Sequence, residues 1–302
     1  MFKKVLVLIL GVCLVLGTGC ACRPALDKSG DTGKIKVMVS FDAMREFVEA
    51  VGGDKVEVSV IIPDGTEPHA FEPKAEDLKG LHDARLFVYN GLGMEPWAEQ
   101  AAQAAKNDKL VMVNASQGIT PIKNTDPDEI REHGAEDPHS WLSLCNAKAE
   151  VRNIMEALVQ ADPANQAYYE QNGEAYIGQL DQLQQEYQPK FQAVSQKQFV
   201  TGHAAFAYFC RDFGLQQNSV EDVFAEGEPN AAQLAELIGY CRTHQVKTIF
   251  AEDMASPDVS KTLAREVGAK VETIYTMESH EDAKSYLERM RDNLAKIYQS
   301  LQ

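Results

Sequence analysis

The sequence predicts an α/β protein of two lobes, each a mainly parallel sheet covered by helices, joined by one long rigid helix. Three observations predict it. Strand-like and helix-like stretches alternate with short connections over residues 35–114 and again over 197–301, which implies parallel sheets with both faces covered. A turn-rich acidic interval and a long helical region separate the two runs. The length, 302 residues, exceeds most single cores and suits two lobes of ordinary size.

In order, "IKVMVS" (35–40) reads as a strand and "FDAMREFVEAVGG" (41–53) as a helix closed by glycines. "KVEVSVII" (55–62), "RLFVYNG" (85–91) and "KLVMVN" (109–114) are strands, separated by helices at "KAEDLKGLHDA" (74–84) and "PWAEQAAQAAK" (96–106). "ITPIKNTDPDEIREHGAEDPHSWL" (119–142) breaks the rhythm with acidic and turn residues. A helical region follows from 146 to about 195, interrupted at Asp162-Pro163, where proline suits the first turn of a new helix. That new helix spans about 30 residues, with Leu180, Leu183, Tyr187 and Phe191 at helical spacing. Few breakers oppose it, so it should act as a strut. The alternation resumes with strands at 197–202, 218–224, 247–253 and 270–276, and helices at 204–214, 230–245, 256–268 and 280–301.

The chain opens on basic "MFKK" and an apolar run of 12 residues, "VLVLILGVCLVL", which is too short for an ordinary membrane span. "GTGC" follows, giving the layout of a signal over residues 1–19, with a bacterial lipoprotein processing site at Cys20. Gly17 stands where such sites usually carry an aliphatic residue, and Cys22 is an alternative. Residues 20–33 are polar and read as a flexible tether; 34–163 form the first lobe, 164–195 the linking helix and 196–302 the second lobe. The expected location is therefore extracytoplasmic, anchored to the cell membrane by lipid.

A net charge of −16 opposes binding to phosphate backbones, so nucleic acid is excluded as a partner. Cys145, Cys210 and Cys241 lie apart in the body, with no C-x-x-C pair to hold zinc or perform thiol exchange; a disulfide between Cys210 and Cys241 depends on the fold.

Ligands of open α/β sheets gather beyond the carboxyl ends of strands. There stand His69 after the second strand, His139 in "DPHSWL", His203 after "KQFVTG" and Glu278 after "KVETIYT". Two come from each lobe, so the four can meet only in the cleft between lobes. Three imidazoles and a carboxylate suit a divalent transition metal. Singly, each has an ordinary structural role open to it: bracing a turn, capping a helix or sitting on the surface. Of the remaining histidines, His82 and His244 fall in helices, His133 in the acidic loop, and His280 stands close enough to Glu278 to substitute for it.

"PHAFEP", "DPHSWL", "TGHAAFAYF", "IFAED" and "EGEPNAAQLAELI", in this order after a lipoprotein-like start, resemble the metal-binding lipoproteins of bacterial zinc and manganese ABC importers. The resemblance runs from about Lys34 to the end. It implies two lobes on a rigid helix, with ligands at His69, His139 and His203 and a fourth, usually aspartate, at Glu278 within "TMES". It also implies an ABC permease and its ATPase subunit as partners of a monomer that captures its ion and delivers it. Manganese binders of this type often carry glutamate where His203 stands, so Zn2+ is expected and Mn2+ is the alternative. Zinc members often carry a histidine-rich loop before the second ligand; here the loop is short and acidic, with only His133.

Two other classes compete. A zinc hydrolase would keep an open position for water, but H-E-x-x-H is absent, and Glu72 reads as a partner of His69 or a helix start rather than a base. A surface adhesin would leave the histidine placement unexplained. With a strut between the lobes, release is expected through small movements of the second-lobe loops that carry His203 and Glu278.

Overall fold

The computed structural model describes residues 33–124, 130–131, 134–223, 230–252, 257–280 and 282–302. The signal segment, the tether to residue 32, Cys20, Cys22 and His133 lie outside the described residues.

Four parallel strands, β1 (Ile35–Val39), β2 (Val56–Val60), β3 (Leu86–Tyr89) and β4 (Val111–Asn114), lie in the order β2-β1-β3-β4. A second parallel sheet repeats that order with β5 (Gln198–Thr201), β6 (Gln216–Ser219), β7 (Thr248–Glu252) and β8 (Lys270–Ile274), as β6-β5-β7-β8. In each sheet the winding reverses between the first and third strands in sequence, and that reversal opens a crevice beyond their carboxyl ends.

Helix α1 (Asp42–Gly52) follows β1 and buries Met44, Phe47, Val48 and Val51 at helical spacing. Short helices α2 (Lys79–Asp83) and α3 (Ala98–Ala104) flank β3. The longer α2 expected from residue 74 does not form. Lys74 instead donates its amide to the Asp77 carboxylate at 2.7 Å, a side-chain turn that competes with the helix.

Helices α4 (Leu144–Ala161) and α5 (Gln166–Ala193) cross between the sheets, separated by a 3-10 turn at Pro163–Asn165. Ser143 caps α4 by accepting from the Asn146 amide. α5 has 28 residues, about 42 Å at ~1.5 Å per residue. Tyr169, Gly173, Ile177, Leu180, Leu183, Tyr187 and Phe191 form its buried stripe. At Gly173 any Cβ would run into the Met155 side chain, so glycine there lets α5 approach α4 closely.

In the second lobe, α6 (Ala207–Phe213), α7 (Ala231–Thr243), α8 (Pro257–Val267) and α9 (Tyr286–Ser300) complete the layers. β6 lies two residues earlier than the apolar pattern suggested; it is a polar edge strand, "QQNS". α9 begins at Tyr286 rather than 280 because Ser285 and Glu288 close a capping box.

One hydrophobic cluster runs through both lobes, from Val37, Phe41 and Phe47 through Trp141, Leu180 and Phe191 to Phe209, Ile274 and Tyr286. The lobes therefore share a core across α5. Cys145, Cys210 and Cys241 are all free thiols.

Candidate metal centre

His69 lies in the loop between β2 and α2, and His139 opens a 3-10 turn, Ser140–Leu142, ahead of α4. His203 follows β5 directly, at the winding reversal of the second sheet, and Glu278 follows β8. The structure brings all four together: one ligand atom from each lies within 4.8 Å of the others. All four side chains are buried.

His69 Nε2 and His139 Nε2 are 3.1 Å apart. Glu278 Oε1 lies 3.5 Å from His139 Nε2 and 3.9 Å from His69 Nε2. The His203 ring stands 4.7 Å from that of His139 and 5.4 Å from that of His69. Bonds of about 2.0–2.1 Å to a tetrahedral zinc set ligand atoms roughly 3.3–3.4 Å apart. The spacings around His139 bracket that value. Glu278 Oε1 is buried without a hydrogen-bond partner among the described residues, while Oε2 accepts from Thr276 Oγ1 at 2.8 Å. A buried acceptor facing two imidazoles calls for a cation.

Neighbouring groups fix the rings. His139 Nδ1 is 2.8 Å from Asp137 Oδ1, so Nδ1 keeps its proton and Nε2, which faces the cluster, is the nitrogen that offers a lone pair once deprotonated. His203 Nε2 is 2.9 Å from the Val223 carbonyl, which only accepts; Nδ1 is then its free lone pair. Trp141 packs against His139 and donates its indole N–H to the Thr276 carbonyl at 2.7 Å, joining two ligand loops from different lobes.

Burial pulls His139 down, but the hydrogen bond to Asp137 and the charge of Glu278 carry it up to about 9. Burial, reinforced by His139, lowers His203. Glu278 is depressed: burial opposes ionisation, but His139, His203 and His69 outweigh it. Glu67 is raised by burial and then by Glu278. These groups form a site that holds negative charge on Glu278 and neutral imidazole at His203.

Asp137 and Glu67 were not singled out by the residue pattern, although a signal was present. Each is the first residue of a carboxylate-Pro-His triplet, and each accepts the histidine's backbone amide, at 2.9 Å for Asp137 and 3.1 Å for Glu67. Glu72, read as a partner of His69 or a helix start, is exposed and outside any helix, in the wall of a 740 Å³ pocket with Phe71 and Trp97. His280 does not join the cluster. It lies 3.1 Å from Arg45 and near Asp42, whose carboxylate is already held by Arg45 and Arg289. His82 bonds the Ala105 carbonyl, and the His244 ring packs at a tilt against that of Tyr240.

Behind the His139 loop lies a second buried network. The Ser140 hydroxyl is 3.1 Å from Asn90 Oδ1 and 2.6 Å from Glu150 Oε1. It has one proton for two acceptors, so Glu150 supplies the other as a neutral acid; burial pushes Glu150 up to about 8. Glu95, also raised by burial, accepts the amides of Asn90 and Gly91, and Asn90 Nδ2 donates to the Pro138 carbonyl. Glu252, at the end of β7, accepts the His203 amide at 3.3 Å.

A family model described as zinc-uptake complex component A, periplasmic (ZnuA) matches residues 37–300. A protein of Treponema pallidum (strain Nichols), provisionally named as metal-binding, is 45% identical over 277 residues, covering 89% of this chain and 88% of its own length. The high-affinity zinc uptake system protein ZnuA of Bacillus subtilis (strain 168) is 37% identical over 317 residues, covering 100% of this chain and 99% of its own. Among solved structures, a zinc-bound variant of AdcAII from Streptococcus pneumoniae superposes with a TM-score of 0.82 at 32% identity, over 90% of this chain and 100% of that one.

Proposed function

The chain belongs to the family of the periplasmic zinc-uptake complex component A, and from that premise we propose that it captures zinc outside the cytoplasmic membrane and delivers it to an ABC-type permease driven by an ATPase. One observation carries the reading: three imidazoles converge within 4.8 Å on a buried carboxylate whose Oε1 has no hydrogen-bond partner among the described residues. His69, His139 and His203 ligate as neutral rings, and Glu278 supplies the charge. Nitrogen-rich donors favour zinc over manganese. Four protein ligands leave no position for an attacking water, which supports a carrier over a hydrolase. In this reading the mature chain is a monomer held at the membrane by lipid on Cys20; among the described residues no helix is long and apolar enough to cross a membrane.

The test is competition for the metal-free protein between zinc and manganese, read by calorimetry against a chelator of known affinity. Zinc is expected to win by orders of magnitude. A four-ligand zinc site is worth roughly 10–16 kcal/mol, so each ligand carries about 3 kcal/mol, or about a hundredfold in affinity. His139→Ala and His203→Ala should each lose about that factor while keeping the fold. Unchanged affinity in either would remove that residue from the site.

A further inference from the structure

The hydrogen bonds attach the Glu278 loop to the first lobe, although its sequence belongs to the second. The N-terminus of α1 has no side-chain cap, because Phe41 occupies the capping position. Its first amides are satisfied by the ligand loop instead: Asp42 N donates to the Glu278 carbonyl at 3.4 Å and Ala43 N to the Met277 carbonyl at 3.1 Å. With Trp141 on Thr276 and Arg289 Nη1 on Ser279 at 3.0 Å, every carbonyl from 276 to 279 accepts a bond. Gly65 N donates to Ser279 Oγ and His280 N to Asp64. Arg289, fully buried on α9, closes the clasp with Nη2 2.6 Å from Asp42 Oδ2. Pulling the loop away would strand the two buried amides of Asp42 and Ala43 and take the Ser279 carbonyl from the buried Arg289 guanidinium.

The His203 segment is attached otherwise. Its amide goes to Glu252 and its carbonyl to Thr201 and Gln217. Ala204 N goes to Asp222 and the His203 ring to Val223. All these partners lie in the second lobe. Tyr208 on α6 bonds the Asp137 carbonyl at 2.6 Å, which ties α6 to the first lobe and confines any parting to the residues ahead of it.

We propose that Arg289 is a positioning residue that keeps Glu278 with His69 and His139, so that His203 is the ligand that separates from the other three when zinc leaves; this rests on the zinc-carrier reading. In the zinc-free protein the Asp42 and Ala43 amides should exchange hydrogen more slowly than those of His203 and Ala204. Arg289→Lys keeps the charge but not the two-armed reach. It should speed exchange at Asp42 and Ala43 and weaken zinc about ten- to a hundredfold. In a Glu278→Gln background the same substitution should cost less than about threefold, because its effect passes through that ligand. Should Arg289→Lys fail to fold, Ser279→Ala breaks the clasp more gently with the same readouts. Equal losses in both backgrounds, or Asp42 and Ala43 amides exchanging as fast as His203, would overturn the proposal. A native chain that binds no zinc would overturn the carrier reading, and the exchange order would still decide the clasp.

Discussion

The two lobes share a strand order but mount their proposed ligands by different chemistry. In the first lobe the proposed ligands end Glu67-Pro68-His69 and Asp137-Pro138-His139; in the second they end Thr201-Gly202-His203 and Thr276-Met277-Glu278. Proline fixes its own φ and offers no N–H, so the carboxylate two places back folds onto the histidine amide. Asp137 goes further and fixes the imidazole itself. In the second lobe the His203 amide goes to Glu252, far along the chain, and the residue two places back is a neutral hydroxyl with another target, Thr201 on the His203 carbonyl at 2.6 Å and Thr276 on the Glu278 carboxylate at 2.8 Å. The middle residues there are a glycine whose missing Cβ leaves room for Glu252, and Met277 in the left-handed region at φ 62. A carboxylate partner orients an imidazole and raises its basicity, whereas a neutral hydroxyl chiefly fixes direction. The first lobe thus presents two histidines pre-aligned through their backbone amides, and at His139 an imidazole made more basic by Asp137. The second depends on backbone geometry that the surrounding structure must hold.

That contrast can be broken by substitution. Asp137→Ala should weaken zinc about ten- to a hundredfold, as loss of a carboxylate behind a metal-binding histidine generally does. Thr276→Val removes one neutral hydrogen bond, about 1 kcal/mol, and should cost about fivefold. Calorimetric affinities of the two variants decide the matter, and equal losses would erase the distinction between the mounts.

Protonation sharpens it further. With His139 carried up to about 9, zinc binding near pH 7.5 must displace a proton from it, while His203, lowered by burial, has none to give. Titrations in buffers of different ionisation heat should therefore report release of about one proton. Acid restores that proton, so occupancy should fall as pH drops from neutral towards about 5. Occupancy that stays flat over that interval would count against histidine ligation.

The last expected effect is on stability rather than on zinc affinity, and concerns the buried acids behind His139. Glu150 is raised to about 8 in the folded protein, so the fold retains a proton that the unfolded chain releases near its ordinary value. Stability contributed by that proton is complete below the unfolded pKa and is lost as pH rises to about 8. The slope is up to about 1.4 kcal/mol per pH unit. Glu150→Gln keeps the shape without the titration. It should flatten the decline in denaturant-measured stability between pH 5 and 8, and an unchanged profile would mean that Glu150 is not the neutral donor to Ser140.

The sequence by itself determined the alternation of strands and helices, the long helix and the four residue types that meet in the cleft. Each of these is written locally: period 2 against 3.6, the stripe from Tyr169 to Phe191, and polar groups placed just past strand ends. The carboxylate-Pro-His triplets were equally local and open to the same reasoning. Other features depend on partners far along the chain. Glu278 rather than His280 faces the imidazoles because the Met277 turn and the bonds from α1, Trp141 and Arg289 orient the loop, and Trp141 stands 135 residues before Thr276. Glu67 rather than Glu72 supports His69 because the turn folds backward, not onward into a helix. Which lobe holds Glu278 was decided only by tertiary structure. Chain order assigns a loop to the strand before it, but hydrogen bonds attach it to whichever buried donors would otherwise be left unsatisfied.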